Sequence, residues 1–291
     1  MAKQIVFLGL GNMGGAMAAN LVKVGFGVRG FDPSPEACDR AAQEGVIIIE
    51  SPAAAAQDAE VVCSSISDTE HVFEAYLSEK GALSTATEGT VCFDFSTISV
   101  EGSRRVAAEA KRRGVSFLDT PVSGSVPHAR AATLVIMAGG EESALKAHKD
   151  VLDAIAGDVY YFGPNGAGLT MKLVTNLIFA IHLAGIAEGL TLGKKAGLDP
   201  EAMVHFLKKS AVPKIMEYKA GAIVAKEYTP IATLNTMLKD LRIITAMAEE
   251  KQVPIPLGSL SRQAYVGAAS MGYGEQDLNA VVEYFEKGAG M

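Results

Sequence analysis

Three clusters of residues in this chain combine types and spacings that could do chemistry together. The first is Gly9-Leu10-Gly11-Asn12-Met13-Gly14, set between the apolar run Gln4–Leu8 and an Ala-rich stretch reaching Asn20. Between a strand and a helix, Gly9 permits a tight turn, Gly11 lets a diphosphate approach the backbone, and Gly14 lets the helix pack on the strand. The N–H groups and partial positive charge of the helix start then favour the phosphates. Asp32 ends a second apolar run, Val28–Asp32, 18 residues beyond Gly14, where a carboxylate can accept from ribose hydroxyls. The pattern predicts a bound dinucleotide. A carboxylate there suits NAD and repels the 2′-phosphate of NADP, and Pro33-Ser34-Pro35 supplies no arginine to offset it. Arg29 lies inside the predicted strand and Arg40 on the following helix, so both read as packing or surface charges. NAD is the expected cofactor, with NADP the alternative.

The second cluster is Lys172 and Asn176, preceded by Gly163, Gly166 and Gly168 at the mouth of a long apolar stretch. Residues four apart on a helix share a face. An amine in an enclosed site can exchange a proton with a substrate hydroxyl, while an amide fixes the amine and the substrate oxygen. Burial lowers a lysine pKa toward that role. Taken alone, the pair also reads as a snorkelling lysine with a capping asparagine. The third cluster is Asp119-Thr120-Pro121-Val122-Ser123-Gly124-Ser125, after the predicted strand Ser116–Leu118 and so at the carboxyl edge of a sheet, where open α/β folds bind ligands. A serine hydroxyl and N–H groups beside Gly124 make a carboxylate cradle. Taken alone it is a turn, and the absence of a G-x-S-x-G elbow argues against a serine hydrolase.

The elements that must position these groups follow from periodicity. Short β-branched runs at Gln4–Leu8, Val28–Asp32, Glu60–Ser64, Thr90–Asp94, Ser116–Leu118 and Thr133–Ala138 alternate with Ala-rich helical stretches, which predicts βαβ units and a largely parallel sheet. After Gly163-Pro164-Asn165-Gly166 only helical periods remain. The expected fold is α/β, with a Rossmann domain at residues 1–164 and an all-helical domain at 165–291, joined through a long helix. Asp199-Pro200-Glu201 reads as a helix start, and Thr236 to Gln252 as a helix stopped by Pro254.

Composition narrows the function classes. With 33 acidic and 26 basic residues the net charge is −7, which gives no footprint for nucleic acid. Cys38, Cys63 and Cys92 lack C-x-x-C spacing and read as thiols in a reducing compartment, not as a disulfide scaffold or zinc site. His71, His148, His182 and His205 show no ligand spacing, so no metal is expected. Gly9 interrupts the first apolar run too early for a secretory segment, which predicts the cytoplasm. Leu169 to Leu192 is apolar enough to raise a membrane span, but Lys172, Asn176, His182 and Glu188 would face lipid at considerable cost. No membrane partner is expected, and this helix should be buried in protein.

Four motifs in order, Gly9–Asn20 (GLGNMGGAMAAN), Asp119–Leu134, Gly166–Asn176 and Lys239-Asp240-Leu241, resemble those of the β-hydroxyacid dehydrogenase family over essentially the whole chain. The resemblance implies that Lys172 is the catalytic lysine and Asn176 its partner. It likewise implies that Ser123 and the Gly124 and Ser125 N–H groups hold a substrate carboxylate, and the Ser125 hydroxyl could add a hydrogen bond to a polar substrate. Lys239 would lie near the nicotinamide. Thr97, in Phe95-Ser96-Thr97, would contact the cofactor, and Ser65, Ile66 and Ser67 occupy a cofactor loop where many members carry Leu-Pro. The family implies a helical domain that supports homodimers or homotetramers. It also implies NAD-dependent interconversion of a small β-hydroxy acid and its semialdehyde. The alternatives are an NADPH-dependent semialdehyde reductase and a non-catalytic nucleotide-binding scaffold. Imine reductases of similar architecture generally lack a lysine matching Lys172, and 6-phosphogluconate dehydrogenase is more distant. The chain departs from the usual Ser-Gly-Gly by reading Ser123-Gly124-Ser125, and it carries Ala131-Ala132 before Thr133-Leu134. His128 in this loop could sense an extra anion or be merely exposed. Lys214, Tyr218 and Lys219 could close the pocket or form a solvated helix face.

Overall fold

A computed structural model describes residues 3–210 and 216–291, in two compact units, Met1–Lys172 and Leu173–Met291. Lys214 lies outside the described residues. The first unit carries β1 (Gln4–Leu8), β2 (Gly27–Phe31), β3 (Ile47–Ile48), β4 (Val61–Ser64), β5 (Val91–Asp94), β6 (Ser116–Asp119), β7 (Val122–Ser123), β8 (Leu134–Gly139) and β9 (Ala156–Gly163). Their order is β3-β2-β1-β4-β5-β6-β8-β7, with β9 on β8. Strands β1 to β6 pair in parallel, β8 runs antiparallel to β6 and β7, and β9 parallel to β8. The first six form the doubly wound dinucleotide-binding order.

Its helices are α1 (Asn12–Lys23), α2 (Pro35–Gln43), α3 (Pro52–Ala56), α4 (Thr69–Leu77), α5 (Val100–Arg112), α6 (Val126–Arg130), α7 (Glu142–Ala147) and α8 (Lys149–Asp153). The unbroken apolar character of β1 has a direct cause. Ile5 and Phe7 enter the core on one face of the sheet, Val6 and Leu8 the core on the other, so both sets are buried. Three strands were not expected from sequence. β3 and β7, at two residues each, are too short to carry a period, and β9 contains Gly157 and Asp158, poor strand formers, with Tyr160, Tyr161 and Phe162 exposed.

The helix α9 (Ala167–Lys195) begins in the first unit. The second unit is helical: α10 (Pro200–Leu207), α11 (Gly221–Ala225), α12 (Leu234–Glu250), α13 (Pro256–Ala268) and α14 (Val282–Gly288), with shorter turns. The Asp199 carboxylate accepts from the Ala202 N–H at 2.8 Å and caps α10 as expected. α12 starts two residues earlier than its apolar period suggested, because the Thr233 hydroxyl caps it by accepting from the Thr236 N–H at 3.2 Å. α9 is long and apolar enough to cross a membrane, and 39% of its most apolar window is buried. The expected burial of this helix in protein extends to one face: Leu169, Leu173, Ala180, Leu183, Ala187 and Leu190 form one covered stripe, while Val174, Ile178 and Leu192 are exposed.

Candidate active site

The glycine-rich turn joins β1 to α1, and its glycines have three different physical roles. Gly9 has φ +83°, and a Cβ there would lie 2.3 Å from the Ser65 carbonyl oxygen. A Cβ at Gly14 would lie 1.9 Å from the Gly9 carbonyl oxygen, so α1 packs on the turn only because residue 14 has no side chain. At Gly11 a Cβ would meet nothing within 4 Å. That open space lies at the N-cap of α1, where among the described residues no side chain caps the helix and no acidic residue occupies the first turn. Leu10 is buried, Met13 half-buried, and Asn12 exposed. Free N–H groups, helix polarity and empty space beside the backbone fit a diphosphate.

Asp32 follows β2, and each of its oxygens already accepts a backbone N–H: Oδ2 from Leu10 at 2.7 Å and Oδ1 from Ser34 at 2.8 Å. The carboxylate therefore fixes the glycine turn and retains lone pairs for a ribose hydroxyl. Arg29 donates to the Gln57 carbonyl at 2.6 Å, and Arg40 is exposed on α2. Neither offers a cation poised beside Asp32 in compensation.

The Ser65-Ile66-Ser67 loop follows β4 and packs directly on Gly9. It is tied to the Ser96-Thr97 loop after β5 by the Ile66 N–H donating to Ser96 Oγ at 2.8 Å. Behind both lies a buried network that sequence reasoning missed. Asp94 Oδ1 accepts from Ser64 Oγ at 2.8 Å and from Ser96 Oγ at 2.5 Å, and Tyr76 donates to Ser64 Oγ at 2.8 Å. Burial pushes the Asp94 carboxyl up, and the serine hydrogen bonds work against it. Thr97 is half-buried next to this network, and Ser67 is exposed, its Oγ 3.0 Å from His71 Nδ1.

The Ser123 loop hangs from β6 and β7. Val122 and Ser123 pair with Ile136 and Val135 of β8, leaving Ser123 half-buried and Gly124 exposed at φ +129°. A Cβ at Gly124 would lie 2.7 Å from Leu134. Ser125 differs from expectation: its N–H donates to His128 Nδ1 at 3.3 Å, and its Oγ lies 3.0 Å from the same nitrogen. The exposed His128 thus occupies the Ser125 N–H, one of the groups expected to hold the carboxylate. Asp119, quoted in the motif without a role, is fully buried, and its oxygens accept from Gly166 N–H at 2.6 Å and Leu169 N–H at 2.8 Å. Burial is the leading cause that raises its carboxyl to about 7.

Lys172 and Asn176 lie one turn apart on α9, both half-buried. In the second unit, Asn176 Nδ2 donates to Asp240 Oδ2 at 2.6 Å, and Lys239 Nζ lies 3.0 Å from Asp240 Oδ1. The buried Asp240 thus joins two of the expected site residues, a link that the adjacency Lys239-Asp240 alone did not give. Lys219 is paired with the buried Asp277 at 2.9 Å, so it is committed to the helical unit's interior rather than to a solvated face. The Tyr218 side chain lies outside the described residues. Among the described residues no group of three His, Cys, Asp or Glu side chains could hold a metal.

Residues 4–163 match the family profile of the NAD binding domain of 6-phosphogluconate dehydrogenase. Residues 166–285 match that described as NAD-binding of NADP-dependent 3-hydroxyisobutyrate dehydrogenase. The chain is 32% identical to the NAD-dependent L-serine dehydrogenase of Pseudomonas aeruginosa, with 98% of both chains aligned. It is 33% identical to the human mitochondrial 3-hydroxyisobutyrate dehydrogenase, over 97% of this chain and 86% of the other. A solved structure of Mycobacterium tuberculosis 3-hydroxyisobutyrate dehydrogenase with L-serine superposes with TM-score 0.89 at 34% identity, covering 97% and 99% of the two chains. The chain belongs to the β-hydroxyacid dehydrogenase family. It is an NAD(P)-dependent oxidoreductase acting on the hydroxyl group of a small hydroxy acid.

Proposed function

We propose that this enzyme oxidises a small β-hydroxy acid reversibly to its semialdehyde with NAD, and that Lys172 exchanges the hydroxyl proton. The observation that carries the cofactor assignment is the open space at Gly11 beside an uncapped helix start, with Asp32 alongside. NAD would be held by the Gly9–Gly14 turn and Asp32 and would supply the hydride acceptor for the carbinol carbon. The chain's own residues do the rest. Asp32 accepts from a ribose hydroxyl while holding the glycine turn. The Ser65, Ile66, Ser67 and Thr97 loops, locked by Asp94 and Ser96, line the cofactor. Ser123 Oγ and the Gly124 N–H hold the substrate carboxylate, with the Ser125 hydroxyl beside them. Lys172 Nζ takes the proton as the hydroxyl oxygen becomes a carbonyl oxygen. Asn176, held by Asp240, orients that oxygen, and Lys239 adds positive charge on the nicotinamide side.

Relatives named for L-serine and 3-hydroxyisobutyrate support a short acid with a polar or methyl substituent on carbon 2. NADP-dependent semialdehyde reduction is the second reading, supported by the description of the helical-domain profile. Residues 1–164 act as the dinucleotide-binding domain and 165–291 as the substrate and oligomerisation domain. Exposed Leu192, Leu198, Phe206, Leu257 and Leu260 support a homodimer or homotetramer, and the net charge of −7 supports a reading without a nucleic-acid partner. The test is initial rates with NAD and NADP across 3-hydroxyisobutyrate, L-serine, glycerate and threonate. Turnover with NAD supports the proposal, NADP preference transfers it to the second reading, and cofactor binding without turnover of any acid or aldehyde would replace it by the scaffold.

A further inference from the structure

We infer that Asp119 is a positioning residue that sets the height of Lys172 against the Ser123 cradle; the inference rests on the reading of Lys172 above. Asp119 is the last residue of β6, and only Thr120 and Pro121 separate it from β7, which ends in Ser123. Its side chain is 0% exposed and spends both oxygens on one target, the entrance to α9, accepting from the N–H groups of Gly166 and Leu169. A carboxylate that satisfies two otherwise orphaned N–H groups pins the first helical turn in rotation and in height.

Two glycines make the docking closer than side chains would allow. A Cβ on Gly168 would lie 2.2 Å from the Met137 carbonyl oxygen and 2.8 Å from that of Asp119, and one on Gly139 would lie 2.7 Å from the Gly168 nitrogen. The helix backbone therefore rests directly on the ends of β6 and β8. Lys172 is four residues beyond Gly168, on the same helical stripe and just over one turn, about 6 Å, further along. β8 also pairs with β7 at Val135 and Ser123. The docked turn, the strand ends and the cradle thus form one continuous piece, with Asp119 at the junction of the segments bearing Ser123 and Lys172. Asp94, its register partner on β5, serves the cofactor loops in the same way, so the two buried carboxylates divide cofactor and substrate positioning between adjacent strands.

Asp119→Asn keeps the shape but confronts one of the two helix N–H groups with an amide NH2. Backbone amide exchange, measured without cofactor, should accelerate at least tenfold at residues 166–172 and remain unchanged in β1 and α1. Steady-state kinetics on the fastest acid of the panel should show kcat down about 10- to 100-fold, with NADH affinity within about twofold of the parent, as for a misplaced proton acceptor. A double-mutant cycle separates positioning from general structural damage. In a Lys172→Ala background, Asp119→Asn should cost less than about threefold more, because both changes remove one function.

Multiplying losses in the cycle, or unchanged exchange at 166–172, overturns the inference while leaving Lys172 catalytic. Near-normal turnover of Lys172→Ala instead overturns the reading on which it rests. If Asp119→Asn does not fold, Asp119→Ser, which retains one acceptor, takes its place with the same expected pattern.

Discussion

Gly11→Ala separates the fold from the function more sharply than any other change in the cofactor loop. The new methyl would meet no atom within 4 Å beyond its own chain neighbours, and residue 11 already sits at φ −60°, ψ −167°, a backbone geometry open to alanine. Gly→Ala at a compatible position stabilises by about 0.4–1 kcal/mol through the unfolded chain. Alanine is also a poorer N-cap than glycine by an amount of similar order, so net stability should move by no more than about 0.5 kcal/mol. Unfolding entropy of about 2.1 cal/mol/K per residue makes this a thermal shift of roughly 1 °C for a chain of this length. The methyl fills the seat assigned to the diphosphate, removing one charge-assisted hydrogen bond worth about 1.5–3 kcal/mol, which weakens NADH by about 10- to 150-fold. Nicotinamide emission reports the titration without interference from indole, since the chain has no tryptophan. Gly14→Ala supplies the contrast. Its methyl would sit 1.9 Å from a backbone oxygen, so it should lose about 1–3 kcal/mol of stability along with binding. NADH affinity in Gly11→Ala within threefold of the parent, or a fall in Tm of more than about 5 °C, would refute the reasoning.

Three further outcomes are expected. Asp32→Ala removes a ribose acceptor and also frees the Leu10 and Ser34 N–H groups. NADH and NADPH affinities should both fall, NADPH less, and an NADPH affinity above the parent's would show that repulsion by Asp32 dominates. Asp119 holds its proton to about pH 7 in the folded protein against an ordinary 3.8, so the folded state binds more protons between these values and stability falls as pH rises through this window. Denaturant unfolding at pH 5 and pH 8 should show that loss in the parent and a flatter response in Asp119→Asn; equal slopes would remove Asp119 as its source. His128→Ala releases the Ser125 N–H to the cradle and should lower KM for the acid by about two- to tenfold at unchanged NADH affinity, whereas a raised KM would mean that the His128 contact shapes the cradle.

What could be read from the chain was what local pattern encodes. The Gly9, Gly11 and Gly14 spacing, the apolar runs of β1, β2, β4, β5, β6 and β8, and the Lys172/Asn176 stripe all depend on neighbours within a few residues. The short β7 and the edge strand β9 depend on pairing with β8, which is a tertiary matter. The same division holds among the site residues. Asp119 and Asp94 each end an apolar run as Asp32 does, and that was an available signal, but their partners Gly166, Leu169 and Ser64 are 30 or more residues away. Asp240 is joined to Asn176 across 64 residues, a pairing that no spacing rule anticipates. Ser125 read as an open hydroxyl beside a carboxylate, and its capture by His128 required the turn of α6 that brings residues three apart together.

The central claim is that Lys172 exchanges the proton while the cofactor site stands independently of it. Lys172→Ala tests both halves in one preparation, by NADH titration and by single-turnover reduction of NAD with saturating acid. The account predicts NADH affinity within about twofold of the parent and a turnover rate lower by at least about 100-fold, the range of a lost general acid–base group. Turnover within threefold of the parent, at intact cofactor binding, would contradict it.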